Sequence, residues 1–381
     1  MKVIVLGNQA RAMSNFWTVL MKKLLSLGHE VICCVPDGDK EANVRLLSVC
    51  TKVKHYFLKR KGLNPLEDLR TYWELLTLFK RERPDLVFAT TIKPVIYGCS
   101  AARYARVPHC YATITGLGYT FEQNSFFKKL IHGLTSRMYR FALKGVDGVF
   151  FQNEADAQVF QTAGILQPDA KVLQARGTGV DVDYFQVAEF PDLASNSMVF
   201  LFVGRLLEAK GLQEFATAAR IVKSKYPQAE FQILGPEERG LGGVSKEQVL
   251  DWEKQGIVEY LGSTDDVRPY LSACHVLVLP SWREGLSTVT MEAMSMGRPV
   301  IVTDVPGCKE LVWDQQNGLR VPVRDPQSLA KACVHFLEHP DQLAVMGETG
   351  RTFAEKFFAA DVVARDILSA MHVEQAEGGR Q

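Results

Sequence analysis

The sequence has no long apolar run and no pair of cysteines at the spacing of a metal or redox motif. A membrane-spanning helix needs about 18 or more apolar residues, so none is expected among the 381 residues. The apolar run in MKVIVLGNQARAM is also too short for a signal peptide and suits a first strand. The eight cysteines include no C-x-x-C pair and fall mainly in apolar segments. This favours buried, reduced thiols in a cytoplasmic protein.

Net charge is also nearly absent, but the charges are unevenly distributed. The formal net charge is +1, whereas residues 1–190 carry 25 Lys and Arg against 17 Asp and Glu, a balance of +8. Residues 191–381 carry 19 and 26, a balance of −7. A basic half favours an anionic partner such as a membrane surface, and no nucleic-acid partner is expected. An alternative of equal weight is that the excess charge of each half is solvated and only makes the two halves complementary.

Short apolar runs alternate with helix-like stretches along the whole chain. In the first half the runs predict strands at 2–8, 30–35, 86–90, 109–113, 148–152 and 171–175, with helices at 12–27, 67–82 and 125–143 among them. After a linker at 186–197, strands are predicted at 198–203, 230–234, 258–261, 276–279 and 299–303, with helices at 212–226, 288–296 and 327–337. Such alternation is typical of parallel, doubly wound sheets.

The predicted fold class is therefore α/β, with two doubly wound parallel-sheet domains that face each other across a cleft. The first domain is expected to span 1–187 and the second 197–356. A helix at 357–372 is expected to return to the first domain, and 373–381 would form a polar tail. A cleft between two carboxyl sheet edges suits an enzyme that holds two substrates together.

One stretch, VLVLPSWREGLSTVTMEAMSMG at 276–297, organises the predicted second domain. Its apolar strand ends at a polar loop, Ser287 is a candidate N-cap, and Gly297 follows the helix. Strand, loop and helix N-terminus form an anion-binding corner in parallel sheets. Glu284 lies in the loop, and Glu292 lies on the second helical turn. Helical side chains lean toward the helix N-terminus, so the Glu292 side chain can point toward the same corner as Glu284. The alternative is a surface acid and an unrelated helix acid.

Two cations open the predicted second domain. Arg205 follows its first strand, and Lys210 lies near the N-terminus of the next helix. A cation at the positive end of a helix dipole is unfavourable unless an anion lies between them. A diphosphate would contact Arg205, Lys210 and the helix amides together. The alternative is a pair of ordinary surface cations.

These residues carry a resemblance to a known family. GRLLEAKG at 204–211 and REGLSTVTMEAMSMGRPVIVTDVPGCKE at 283–310 resemble the donor domain of GT-B retaining glycosyltransferases of family 4, whose E-x7-E motif would be Glu284 and Glu292. The resemblance extends over nearly the whole chain. Other motifs resemble the bacterial subgroup that builds polysaccharides and oligosaccharides on a polyprenyl diphosphate carrier, namely TIKPVIYG (91–98), TGLGYTF (115–121), FFQNEAD (150–156) and GTGVDVDYF (177–185).

The resemblance implies a role for each residue on the donor side. Arg205 and Lys210 would bind the nucleotide diphosphate and stabilise its leaving charge, with no divalent metal and no cofactor. Glu284 would contact the transferred sugar near the reaction centre, and Glu292 would hold the ribose hydroxyls. The rest of the donor site would be Gly204 and the amides of Gly285, Leu286 and Ser287.

The first domain departs from the broader family in two places. The loop after its first strand is usually glycine-rich, but residues 7–11 contain one glycine. Many relatives also have a histidine after the strand at 109–113, where this chain has TITGLG at 113–118. The acceptor-side candidates are therefore Asn8, Thr115, Gly116 and Gly118.

Two further motifs are interpreted as structural. His109 lies at the start of its strand, the wrong end for a contact in the cleft. Asp181, Val182 and Asp183 resemble the DxD motif of metal-dependent transferases, but they are interpreted as a hinge between the two domains.

A basic amphipathic helix is predicted from SFFKKLIHGLTSRMYRFALK at 125–144. Its cations are Lys128, Lys129, Arg137, Arg140 and Lys144, and the segment 52–61 adds five more. Such a helix could lie on a membrane, or it could be a packed helix with a solvated basic face. Its position beside the predicted acceptor loop favours an anionic lipid, which predicts a peripheral protein on the inner face of the cytoplasmic membrane.

The predicted function is transfer of a hexosyl or N-acetylhexosaminyl group from a nucleoside diphosphate sugar to a polyprenyl-diphosphate-linked glycan. The resemblance to the family implies UDP as the nucleotide. No protein nucleophile is evident, which favours same-face transfer with retention. A nucleotide-sugar epimerase on the same fold would need acids and a histidine in the first domain, where few are present. A dinucleotide dehydrogenase would need a GxGxxG motif. A non-catalytic nucleotide-sugar-binding subunit is disfavoured by the intact cations and glutamates.

Overall fold

The computed structural model describes residues 1–59, 62, 64–117, 126–192, 197–238, 240 and 242–373, with the side chains of 126–130 outside the described part. The chain divides into two compact units. Unit 1 contains Met1–Thr178 and the chain from Ala360 onward, and unit 2 contains Gly179–Ala359.

Each unit is built on a parallel sheet. The strands of unit 1 are β1 (Lys2–Leu6), β2 (Glu30–Val35), β3 (Lys52–His55), β4 (Leu86–Thr90), β5 (His109–Ile114), β6 (Gly148–Phe151) and β7 (Val172–Gln174). Those of unit 2 are β8 (Val199–Val203), β9 (Glu230–Leu234), β10 (Glu259–Tyr260), β11 (Val276–Leu279), β12 (Val300–Thr303) and β13 (Gly318–Val321). Within the described residues the strand orders are β3-β2-β1-β4-β5-β6-β7 and β10-β9-β8-β11-β12-β13.

Helices connect these strands. In chain order they are α1 (Ala10–Phe16), α2 (Thr18–Ser26), α3 (Lys40–Leu47), α4 (Pro65–Glu82), α5 (Ser100–Ala105), α6 (Phe126–Ala142), α7 (Glu154–Thr162), α8 (Leu212–Lys225), α9 (Lys246–Lys254), α10 (Arg268–Ala273), α11 (Thr288–Ser295), α12 (Pro326–Glu338), α13 (Gln342–Phe353) and α14 (Ala360–Ala370). A π-helical segment, Pro94–Cys99, precedes α5, and another, Ala354–Phe358, follows α13.

Helices cover both faces of the unit 1 sheet, because its central strands are apolar on both sides. On one face, α4, α6 and α7 pack through side chains such as Phe79, Tyr139 and Phe160. On the other face lie α1, α2, α3 and α14. The helix that the sequence places at 357–372 corresponds to α14, where Asp361 forms an ion pair of 2.5 Å with Lys23 of α2.

Unit 2 has an aromatic core under β8 and β9. The rings of Phe200 and Phe231 stack with centroids 5.0 Å apart, and Phe215 of α8 meets Phe231 edge-on at 5.5 Å. Aromatic pairs of this kind add to the stabilisation from buried area. They hold α8, and with it the loop before α8, against the strand that opens the unit.

Two arginines attach the segment before β8 to unit 2. Arg298 is fully buried and donates to the carbonyl of Ala188 at 2.9 Å. Arg351 donates to the carbonyl of Phe185 at 2.9 Å. These bonds explain why the structural division falls at 178, whereas the sequence places the end of the first domain at 187.

The predicted α/β class with two parallel, doubly wound sheets is confirmed. Differences occur at one helix and at two edge strands. The predicted helix at 12–27 is two helices that meet at Trp17. The sequence pattern also misses β3 and β13, which are edge strands. On β3, Lys52 and Lys54 pair with Glu30 at 2.8 Å and Glu82 at 3.5 Å, so part of the positive charge counted at 52–61 is neutralised within the protein.

The cysteines match the expectation from their apolar surroundings. All eight are buried free thiols. Burial raises the pKa of the Cys274 thiol to about 12, so this group stays protonated and unreactive at neutral pH.

Candidate active site

The residues predicted for the donor side lie at the carboxyl edge of the unit 2 sheet. β8, β11 and β12 are neighbouring parallel strands, so the loops that follow them leave the sheet side by side. The first loop contains Arg205 and Lys210, the second contains Glu284, and the third contains Gly307. The structure thus brings together residues that lie far apart in the sequence.

Lys210 and Glu284 form an ion pair between Lys210 Nζ and Glu284 Oε1. The side chains are 21% and 13% exposed, so the pair is shielded from water and its interaction is stronger than that of a surface pair. The sequence assigns the two groups to separate tasks, diphosphate binding and sugar contact. The structure adds that each one positions the other.

The loop after β12 fixes the backbone of Glu284. The Glu284 amide donates to the carbonyl of Pro306 at 3.0 Å. Gly307 has a φ of 84°, and a Cβ atom there would lie 2.3 Å from the Glu284 carbonyl oxygen, so a larger residue would displace the loop. Sequence reasoning missed Gly307 as a functional residue, although the Val-Pro-Gly turn within the 283–310 motif was a signal for it.

The loop before α8 is held just as closely. Lys210 ends a short 3₁₀ turn directly before α8, and the amide of Trp282 donates to the carbonyl of Ala209 at 2.8 Å. Gly211 has a φ of 74°, and a Cβ atom there would lie 2.1 Å from the Pro280 carbonyl oxygen. Lys210 therefore lies at the N-terminal end of α8, as the sequence predicts, and Glu284 supplies an anion beside it.

Arg205 has a partner that the sequence does not reveal. Its Nη1 lies 3.1 Å from Glu238 Oε2, in the loop after β9, and 55% of the Arg205 side chain is exposed. Gly204 precedes it and donates its amide to the carbonyl of Leu234 at 2.9 Å. This pair leaves Arg205 at the surface of the same sheet edge, where it can exchange Glu238 for another anion at little cost.

The start of α11 corrects one detail of the predicted donor site. Ser287 is the N-cap, and its hydroxyl accepts from the amide of Thr290 at 3.3 Å. Its own amide donates to the carbonyl of Gly307 at 3.0 Å. The Ser287 amide is therefore used inside the protein, where it joins the loops after β11 and β12, and not for the donor contact that the resemblance implies. Leu286 beside it is buried.

Glu292 lies on the second turn of α11 in surroundings that disfavour its charge. Burial, with a further contribution from the Asp266 carboxylate, raises the pKa of Glu292 to about 7. Asp266 stays charged because Arg268 pairs with it at 2.7 Å and lowers its pKa. A half-protonated carboxyl at neutral pH can donate or accept hydrogen bonds, which suits recognition of hydroxyl groups.

The predicted acceptor-side residues lie at the carboxyl edge of the unit 1 sheet. Asn8 follows β1, and Thr115 and Gly116 follow β5, with β4 between them; Gly118 lies outside the described residues. Directly after β4, Thr91 has a φ of 70°, and its buried hydroxyl has no hydrogen-bond partner among the described residues. Such strain in a β-branched residue is a mark of functional sites and leaves no signal in the sequence.

Two motifs interpreted as structural have structural partners. His109 begins β5, and its Nδ1 lies 3.6 Å from Asp147 Oδ1. Asp181 Oδ1 accepts from the amides of Asp183 at 3.2 Å and Tyr184 at 3.0 Å. Asp181 thus caps its own turn.

The basic helix predicted at 125–144 corresponds to α6, and one of its exposed cations also binds a neighbouring loop. Arg140 Nε donates to the carbonyl of Gly164 at 2.6 Å, so this side chain attaches α6 to the end of α7. Arg137 and Lys144 are exposed. The side chains of Lys128 and Lys129 lie outside the described residues. Arg140 is exposed as well, so the described cations of the predicted basic set all lie at the surface.

The described part of the chain lacks two further features. None of its helices is both long enough and apolar enough to cross a membrane. No three His, Cys, Asp or Glu side chains in this part lie together in a group that could hold a metal ion.

Family models match both halves of the chain. A model described as glycosyl transferases group 1 matches residues 197–339, and a model described as glycosyl transferase 4-like matches residues 2–153. The first match includes Arg205, Lys210, Glu284 and Glu292, and the second includes Asn8. The two candidate sheet edges are thus each covered by a glycosyltransferase model.

Curated relatives are similar over most of the chain. The N,N'-diacetylbacillosaminyl-diphospho-undecaprenol alpha-1,3-N-acetylgalactosaminyltransferase of Campylobacter jejuni is 25% identical over 348 residues, which are 89% of this chain and 90% of that protein. The UDP-Gal:alpha-D-GlcNAc-diphosphoundecaprenol alpha-1,3-galactosyltransferase of Escherichia coli is 28% identical over 288 residues, which are 73% of each.

Solved structures share the fold. Anabaena HepE in complex with UDP has a TM-score of 0.76 at 17% identity and covers 98% of this chain and 100% of that chain. The sucrose-phosphate synthase of Thermosynechococcus elongatus has a TM-score of 0.80 at 17% identity, with 98% of each chain covered. At this identity the likeness concerns the fold alone, and it agrees with the predicted GT-B architecture.

Proposed function

Because the chain belongs to the GT-B glycosyltransferases of family 4, we propose that it transfers a sugar from a UDP-sugar to a polyprenyl-diphosphate-linked glycan, with retention at the anomeric carbon. One observation carries the proposal for the site, namely the shielded Lys210–Glu284 pair at the carboxyl edge of the unit 2 sheet. A cation and a carboxylate held together at the N-terminal end of a helix can receive a sugar diphosphate.

On the donor side, Arg205 and Lys210 bind the diphosphate and balance the charge that UDP gains as its bond to the sugar breaks. Arg205 reaches the diphosphate by leaving Glu238, an exchange that its exposure favours. Glu284 contacts the transferred sugar, and Glu292 holds the ribose hydroxyls. The complex of HepE with UDP and the UDP-Gal substrate of the Escherichia coli relative support UDP as the nucleotide.

On the acceptor side, Asn8, Thr115 and Gly116 receive the glycan. The bond between the anomeric carbon and the diphosphate oxygen breaks, the acceptor hydroxyl attacks the same face, and its proton passes to the departing phosphate oxygen. The names of both relatives specify an alpha-1,3 linkage and a diphospho-undecaprenol acceptor. An alpha product is what a UDP-α-sugar gives with retention, so the relatives support both the lipid carrier and the stereochemistry.

A turnover assay tests the proposal. The purified chain is incubated with a panel of UDP-hexoses and UDP-N-acetylhexosamines and a short-chain prenyl-diphosphate sugar as acceptor. We expect one donor to give a disaccharide product by mass spectrometry, with an α-configured bond by NMR. A changed UDP-sugar without transfer would instead indicate an epimerase, and tight binding without turnover would indicate a non-catalytic subunit. Either result would overturn the proposal.

The same assay tests whether the two cations suffice for turnover without a divalent metal ion. We expect turnover to persist in EDTA, because Arg205 and Lys210 supply the positive charge that a divalent ion provides in metal-dependent transferases. A buffer-matched reaction with added Mg²⁺ is the control. Complete loss of turnover in EDTA that Mg²⁺ restores would show that a metal ion is required.

A further inference from the structure

Trp282 lies in the loop after β11, two residues before Glu284, and contacts two other parts of unit 2. Its backbone amide donates to the carbonyl of Ala209 at 2.8 Å, and its indole Nε1 donates to Glu214 Oε1 at 3.0 Å. The Arg324 guanidinium lies 3.9 Å from the centroid of its ring. This half-buried residue thus joins the loop before α8, the first turn of α8 and the loop after β13.

The carboxylate that accepts from the indole has a fixed position. Glu214 is the third residue of α8, where the positive end of the helix dipole stabilises a negative charge. Its second oxygen, Oε2, is buried and has no hydrogen-bond partner among the described residues. The indole N–H of Trp282 therefore matters to this carboxylate, and loss of either partner leaves a polar group unpaired in a shielded place.

Arg324 restrains the ring of Trp282 from another side. It has a φ of 59°, a left-handed conformation that is unfavourable for a residue other than glycine. Such strain persists where the surrounding contacts require it, and the stacking of a guanidinium on an aromatic face is a favourable contact. The stack and the hydrogen bond to Glu214 together hold the indole in one orientation.

The backbone contacts around Trp282 join the two loops that hold the ion pair. These loops run in opposite directions, because Ala209 contacts Trp282, whereas Gly211 packs against the first residue after β11. Lys210 lies between the two contacts on one loop, and its partner Glu284 follows Trp282 on the other. A displacement of the Trp282 ring would therefore move the Glu284 loop relative to Lys210.

We propose that Trp282 is a positioning residue, whose bond to Glu214 fixes the place of the Glu284 carboxylate at the donor edge of unit 2. Trp282 acts through Glu284 and does not itself contact the reacting atoms. Catalytic groups that are held in place before the substrate binds need no reorganisation during the reaction. The effect on turnover rests on the proposed function, whereas the link between Trp282 and the donor edge does not.

Single variants test the bond between the indole and the carboxylate. Trp282→Phe keeps a ring for Arg324 but removes the N–H, so we expect kcat to fall about tenfold with a change of less than about threefold in the donor KM. Glu214→Leu removes the acceptor and should give the same change. Glu214→Gln should retain most of kcat, because its amide oxygen still accepts the N–H. The matched control is Trp313→Phe, whose ring packs against Phe353 in the same unit.

Two double variants separate positioning from folding. Trp282→Phe/Glu214→Leu leaves neither group unpaired, so it should melt near the wild-type temperature yet keep the loss of kcat. Trp282→Phe combined with Glu284→Gln should lower kcat by less than about twofold beyond Glu284→Gln alone, because the ring acts through that carboxylate. A residue that only supported the fold would lower kcat by the same factor in both backgrounds.

The fluorescence of Trp282 tests the link to the donor edge without turnover. UDP added to wild type should change the tryptophan emission, because its diphosphate would lie beside the loops that hold the ring. The same change should occur in Trp313→Phe and be absent in Trp282→Phe.

Three results would overturn the proposal. They are a wild-type kcat in Trp282→Phe, equal losses of kcat in the wild-type and Glu284→Gln backgrounds, and an emission from Trp282 that UDP leaves unchanged. Absence of sugar transfer by wild type with every donor would count against the proposed function alone. The UDP titration would then decide whether Trp282 belongs to the donor edge.

Discussion

Replacing Glu284 with glutamine is expected to lower kcat by roughly 100-fold or more, with a smaller effect on the donor KM. The Glu284 side chain is 13% exposed and pairs with Lys210, so its charge acts where water screens it poorly. In the proposed mechanism, its interaction with the sugar would strengthen as positive charge develops at the anomeric carbon, and a neutral amide would not gain strength in this way. Full donor kinetics of the variant measure the effect.

The control for this variant is Glu348→Gln, an exposed carboxylate on α13 in the same unit. It should keep wild-type kinetics, and melting curves should show that both variants are folded. Glutamine has nearly the shape of glutamate, and the bond from the Glu284 amide to the Pro306 carbonyl does not involve the side chain. A folded Glu284→Gln enzyme with near wild-type kcat would therefore remove Glu284 from the reaction centre.

The sequence predicts the fold well where strands are buried. The observed bounds of β2, β4, β9 and β11 equal those predicted from their apolar runs. A strand buried on both faces has a strong hydrophobic signal, and loops with turn-forming residues sharply end it. The edge strands β3 and β13 lack this signal because one side of each faces solvent. Lys52 and Lys54 on β3 therefore look like a surface charge cluster in the sequence.

The sequence also predicts which residue types belong to the candidate site, but not which of them touch. The pairing of Lys210 with Glu284, and of Arg205 with Glu238, joins loops that follow different strands. Such partners depend on strand order, which local patterns do not contain. The backbone strain at Thr91 and the close approach at Gly307 are likewise products of tertiary packing.

Glu292 shows how the same packing sets a protonation state. Burial and the nearby Asp266 carboxylate raise the pKa of Glu292 to about 7, from an ordinary value of 4.5. Between these two pH values the folded protein keeps a proton that the unfolded chain has released. The folded state therefore binds more protons than the unfolded state, so the free energy of unfolding falls as the pH rises through this window.

Replacing Glu292 with glutamine removes this ionisation. We expect the variant to melt at a higher temperature than wild type above pH 7, and at nearly the same temperature near pH 4.5. At about 1.4 kcal/mol per pH unit, the gain in the free energy of unfolding is at most about 3.5 kcal/mol, and the partial exposure of the side chain reduces it.

The same substitution should raise the donor KM more than it lowers kcat, because the proposed contact with the ribose hydroxyls would exist in both the ground state and the transition state. The measurements are melting curves without nucleotide across this pH range and donor kinetics at neutral pH. If the melting temperature of the variant depended on pH as that of wild type does, another group would titrate in this window. An unchanged donor KM would place the ribose elsewhere on the sheet edge, even if the stability gain were found.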